Sequence, residues 1–151
     1  MQKEALSPVK LVECAISKNR CQGLGNAFDA VYAVVDRDQT TNADFTEAFA
    51  LAKRASTKTT KFYVVVTDIC FKAWLLAHYG PVPPVDTPSA LVDKAVTVKI
   101  LSDKRSKKVL ESFPYLDFAT ALNNMSIIQP NTLGSHPSSA LPELMKEFQQ
   151  G

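Results

Sequence analysis

The chain has 151 residues, with 17 Lys and Arg against 15 Asp and Glu, 46% hydrophobic residues and 21% charged ones. That length predicts a single domain over residues 1–151 with one proper core, and the composition excludes disorder, a fibre and a coiled coil. A net charge of +2 is too mild to name a polyanionic partner by itself.

No apolar run approaches the roughly 20 residues of a membrane helix, and the N-terminus shows no apolar signal region. A cytoplasmic protein with no membrane partner is expected. The three cysteines, Cys14, Cys21 and Cys70, form no CxxC pair, which argues against a disulfide framework or a structural zinc site and for buried or inert thiols in a reducing compartment. The two histidines, His78 and His136, lie too far apart in sequence to suggest a histidine metal cage.

Ser7-Pro8 reads as N-cap and first helical position, with Val9, Leu11, Val12, Ala15 and Ile16 at near-helical spacing, so a helix is predicted over about Pro8 to Arg20. Gly23, Gly25 and Asn26 break the chain before a β-prone run from Asp29 to Val35 that ends in Asp36-Arg37-Asp38. Its near-continuous apolar character predicts a strand covered on both faces. Thr41 or Asn42 caps the next helix, whose Phe45, Ala48, Phe49, Ala52 and Ala55 recur at helical spacing. A second strand, Lys61 to Thr67, completes a βαβ unit with the usual right-handed crossover.

Ile69 to Tyr79 is apolar almost all round and predicts an interior helix, with Trp74 in the core and His78 as a hydrogen-bonded packing residue. Gly80 and three prolines stop it, and Asp86-Thr87-Pro88 resembles the capped start of another helix. Val96 to Leu101 fits a strand or a helix end equally. Helical periodicity then runs through Val109, Leu110, Phe113, Leu116, Phe118, Ala119 and Leu122 around Pro114. Asn131 to Ser135 reads as loop and Pro137 to Gln149 as a final helix.

Carboxylates directly after a parallel strand stand where α/β proteins place ligands. Asp36 and Asp38, two apart, point the same way in an extended segment and suit a hard, oxygen-preferring cation such as Mg²⁺. Asp68 ends the second strand and is either a third ligand or the cap of the next helix. Lys99, Lys104, Arg105, Lys107 and Lys108 place five of the 17 basic residues within ten positions, either as a solvated loop or as phosphate contacts. No glycine-rich phosphate loop and no nucleophile paired with a base is visible.

The strand Val31 to Val35 ending in Asp36-Arg37-Asp38, followed by Cys70-Phe71-Lys72-Ala73-Trp74-Leu75-Leu76-Ala77-His78-Tyr79, resembles the RloB-like family, whose members carry a strand ending in DRD and a motif similar to NPCFELWLLLHF. His136-Pro137-Ser138-Ser139 and Leu141 resemble the family's NPST segment. The resemblance covers most of the chain. It implies a Toprim-like α/β fold, a mostly parallel sheet flanked by helices. It also implies Mg²⁺ held by Asp36 and Asp38, phosphodiester chemistry on nucleic acid with Arg37 and Lys72 beside it, and a role in phage defence with an ATPase partner.

Departures from the family shape the expectation. The family's first strand, with its glutamate motif, has no counterpart, because the chain begins at the helix that normally follows. Glu13 only imitates that glutamate. In the second motif the family's glutamate is Lys72 here, its asparagine is Asp68 and its proline is Ile69, and near the C-terminus an asparagine has become His136. A positive charge at Lys72 weakens cation binding. The sequence therefore favours a non-catalytic protein that binds or inhibits a defence protein or nucleic acid. The alternative is a Mg²⁺-dependent Toprim-type nuclease of an abortive-infection system. The absent strand also predicts a sheet edge open to a partner strand or to self-association.

Overall fold

The computed structural model describes residues 6–23, 25–38, 40–85 and 87–149. They form two compact units, the first from Met1–Val35, Gln39–Val66 and Gln129–Leu133, the second from Asp36–Asp38, Thr67–Ile128 and Gly134–Gly151. Asp86, assigned above to a helix cap, lies outside the described residues.

In the first unit, helix α1 spans Pro8–Cys21 and helix α2 spans Asn42–Ala55. Each begins on the cap that its sequence encodes. The Ser7 hydroxyl accepts from the Lys10 N–H at 3.3 Å, and the Thr41 hydroxyl accepts from Asp44 N–H at 3.2 Å. The apolar stripes Val12 and Ile16 of α1 and Phe45, Ala48 and Ala52 of α2 meet Ala33, Phe62, Val64 and Val66 in one buried cluster. Asn131 binds the strand backbone both ways, accepting from Val64 N–H at 2.7 Å through Oδ1 and donating its own N–H to Val64 O at 2.8 Å.

Strand β1, Ala30–Asp36, and strand β2, Lys61–Asp68, each begin in the first unit and end in the second. Lys61 N–H donates to Asp29 O at 2.8 Å and Arg37 N–H donates to Thr67 O at 3.0 Å. Low numbers pair with low and high with high, so the two strands run parallel, as the βαβ reading requires. The expected covering of both faces of β1 is corrected: Ala33 is buried but the next residue, Val34, is 46% exposed. Alternation of this kind marks a strand with one wetter face.

The second unit holds helices α3 (Phe71–Ala77), α4 (Pro88–Thr97), α5 (Phe118–Asn123) and α6 (Leu141–Gln149), with the short strands β3 (Ser126–Ile127) and β4 (Ser138–Ser139). Helix α3 packs against α4 and α5. Thr87 caps α4. Trp74 is buried, and the buried His78 ring stands against Trp74 and Phe113 while its Nδ1 meets Trp74 O at 3.0 Å. Both residues are packing residues, as expected.

The sheet order is β1-β2-β4-β3, with β4 antiparallel to β2 and β3 parallel to β4. It is therefore mixed, where a mostly parallel sheet was expected. The helix expected from Ile69 starts only at Phe71, because β2 runs on to Asp68. The helix expected from Pro137 starts at Leu141, because Ser138 and Ser139 pair with Asp68 and Thr67. The periodicity from Val109 yields only α5, since Pro114 and successive turns at Leu110, Phe113 and Asp117 occupy the rest. Val96 to Leu101 is a helix end followed by Lys99 in the left-handed region and an antiparallel bridge from Leu101 to Val109.

Candidate functional site

The site lies in the second unit, where the ends of β1 and β2 meet the segment from Gly134 to Ser139. Backbone bonds fix the DRD sequence in place: Arg37 N–H donates to Thr67 O at 3.0 Å and Asp38 N–H to Ile69 O at 2.8 Å. Asp38 turns the chain with φ +38°, a region that aspartate tolerates better than most residues. Asp36 is the last residue of β1, and Asp38 lies past it in the turn.

Arg37 reaches the carboxylate of Asp68 and also donates to Gly134 O at 3.2 Å. Asp68 is buried at the last position of β2. His136 closes the other side of Asp68, its Nδ1 3.1 Å from Asp68 O and 3.5 Å from Oδ1. A carbonyl can only accept, so Nδ1 carries a proton. Nε2 is buried without a partner, as is Ser138 Oγ. Its neighbour Ser139 is satisfied, sharing a hydrogen bond with Thr67 Oγ1 at 2.9 Å and accepting from Leu141 N–H at 3.1 Å. Gly134 is required here, because a Cβ would lie 2.6 Å from both Ile128 Cγ2 and Ser138 Oγ.

Burial pushes the Asp36 carboxyl above its ordinary range, opposed by a hydrogen bond from the Phe71 backbone and by the Lys72 charge, and reinforced by Asp38. Burial likewise raises the Cys70 thiol, which makes it a poor nucleophile. Of the three free cysteines only Cys70 is buried, whereas Cys14 and Cys21 are exposed.

The expected alternative of Asp68 as a helix cap is corrected: Cys70 occupies the N-cap of α3, without a side-chain bond, and Asp68 is spent on Arg37. Among the described residues no three His, Cys, Asp or Glu side chains are placed to hold a metal ion. A three-carboxylate Mg²⁺ cage from Asp36, Asp38 and Asp68 does not fit, because the Asp68 carboxylate is already held by the Arg37 guanidinium. The charges of Lys72 and Asp38 both act on the Asp36 carboxyl, in opposite directions. Glu13 is exposed on α1.

Lys104, Arg105, Lys107 and Lys108 are exposed in the loop after α4, where Lys104 pairs with Asp93 at 2.8 Å. Gly134, His136 and Ser138 were not singled out as site residues by sequence reasoning; the signal was a Gly-Ser-His-Pro-Ser-Ser run, short polar residues directly before a helix.

The profile of the family described as RloB-like protein matches residues 1–148. No curated protein and no solved structure matches the chain.

Proposed function

Because the chain belongs to the RloB-like family, we propose that it acts by binding rather than catalysis, as an interfering protein in conflict between phage and bacterium whose target is a defence protein or nucleic acid. The observation that carries this reading is the Arg37 to Asp68 ion pair. A metal-dependent phosphodiesterase needs free carboxylates converging on cations, and here the buried member has an internal counter-ion.

Calorimetry with Mg²⁺ and Mn²⁺ on the wild type and on Asp36→Ala/Asp38→Ala tests it. The binding reading expects no heat at millimolar metal and target binding that survives the double substitution. Metal binding that disappears in the double variant, together with metal-dependent cleavage of DNA or RNA, overturns it.

One observation favours the second reading, a Mg²⁺-dependent Toprim-type nuclease. Asp36 and Asp38 stand two residues apart at a strand end, and the Asp38 charge adds to the cost of ionising Asp36. A divalent cation would relieve that repulsion.

A further inference from the structure

The loop that follows α4 is rich in charge and is held by a set of hydrogen bonds to its own backbone. Ile100 and Leu101, both buried, anchor its entry. Leu101 and Val109 close its base as an antiparallel bridge, and Leu110 N–H donates to Ile100 O at 2.9 Å. Its one acidic residue is bonded to the loop's own backbone: Asp103 Oδ1 accepts from Arg105 N–H at 2.7 Å and Ser106 N–H at 2.9 Å. Ser106 Oγ donates to Lys108 O at 3.1 Å and accepts from Lys108 N–H at 3.3 Å. The small polar side chains are thus used to hold the loop, and the cations are left outside it.

Lys104, Arg105, Lys107 and Lys108 are all exposed on this frame, with Lys99 exposed at its entry. A disordered basic segment loses entropy on docking, whereas a stapled one has already lost it in folding. Four cations in five positions match a partner whose negative charges repeat at short intervals, and a phosphodiester backbone has one every few ångströms. An acidic protein surface carries its charges more sparsely and interspersed with other groups.

We propose that the loop from Leu101 to Val109 is a docking surface for the phosphate backbone of nucleic acid. This rests on the binding reading above and supplies its partner class. The recognition is electrostatic and runs through the phosphates, the contacts that position a protein on nucleic acid without themselves reading sequence. Lys104 is shared with Asp93, so Arg105, Lys107 and Lys108 are the more available contacts.

Fluorescence anisotropy of a short labelled DNA duplex and a short labelled RNA, titrated with the full chain at several salt concentrations, tests the proposal. Four phosphate contacts predict a slope of log K against log salt near −3.6 on duplex, at about −0.9 per contact. Arg105→Ser/Lys107→Ser/Lys108→Ser should bring that slope to roughly −0.9, with an unchanged melting temperature because all three side chains are exposed. Asp36→Ala/Asp38→Ala should leave binding intact.

Three results overturn the proposal. The first is no binding by the wild type at about 50 mM salt, which leaves a protein target for the broader reading. The second is wild-type binding with an unchanged slope in the triple variant, which puts the nucleic acid elsewhere on the protein. The third is capture of polyglutamate as tightly as DNA, which makes the loop a surface for acidic proteins.

Discussion

Arg37 and Asp68 stand 31 residues apart at the ends of parallel neighbouring strands, and the guanidinium of one binds the carboxylate of the other. The Asp68 side chain is 5% exposed and that of Arg37 26%. A carboxylate so buried is tolerated only with a partner, and the net gain of such a pair over apolar residues is small. What the pair does instead is fix the strand ends to each other and to Gly134, whose carbonyl takes a second bond from the same guanidinium.

Removing one partner should therefore cost far more than the pair is worth. Arg37→Ala is expected to destabilise the protein by about 3 kcal/mol, because it strands a buried anion. Asp68→Asn should cost less, since the amide oxygen still accepts from Arg37 and the charge left without a counter-ion is the guanidinium, the more exposed of the two. Arg37→Ala/Asp68→Asn should be more stable than the sum of its parts predicts. Urea midpoints of the four proteins check this, and strict additivity would show that the two side chains do not interact.

Asp36 gives a pH dependence with a definite sign. Its carboxyl titrates above the ordinary 3.8, chiefly through partial desolvation, so the folded state disfavours the charged form. Its favourable contribution is fully present below about 3.8 and is lost as pH rises through the folded value. Asp36→Asn should accordingly raise the melting temperature at pH 7 and converge with the wild type below that range. A lower melting temperature at pH 7 would mean that the attraction to Lys72 outweighs desolvation.

The elements with local causes were legible in the sequence. Ser7 and Thr41 cap helices that follow at once, and the apolar runs in β1 and β2 face a core that their own helices supply. Strand β4 was not legible, because Ser138 and Ser139 carry no strand propensity and are extended only by pairing with Thr67 and Asp68, some 70 residues away. The site was half legible for the same reason. Alternation marks Asp36, Asp38 and Asp68, but nothing local tells that Arg37 turns to Asp68 or that His136 closes behind it.

Ser138 and Gly134 form a pair in which opposite substitutions should have opposite signs. Ser138 Oγ is buried with no partner, so Ser138→Ala removes an unsatisfied group and should stabilise by about 1 kcal/mol. Gly134→Ala drives a methyl to 2.6 Å from that same oxygen and from Ile128, and should destabilise by roughly 1–3 kcal/mol. In the Ser138→Ala background the Gly134→Ala cost should shrink without vanishing, since Ile128 and the Ser138 Cβ remain close. Thermal melts of the two singles and the double decide it; an equal Gly134→Ala cost in both backgrounds would place the clash on Ile128 alone.

His78 supplies the acid limit of the second unit. Burial holds its pKa below the ordinary 6.5, against the pull of the Trp74 carbonyl and of Asp117. The neutral ring is the form that packs between Trp74 and Phe113. Its contribution is present above 6.5 and is lost as pH falls through the lower folded value, because the unfolded chain takes up the proton first. The melting temperature should fall from pH 7 to pH 5. Over that interval Asp117 stays ionised, its own carboxyl being held low by the Thr120 hydroxyl and backbone, so the α5 cap does not confuse the result. His78→Gln keeps a donor for the Trp74 carbonyl but cannot titrate. It should be less stable at pH 7, through lost ring packing of about 1–3 kcal/mol, yet nearly flat between pH 7 and pH 5. A variant that keeps the wild-type slope would assign the acid sensitivity to another group.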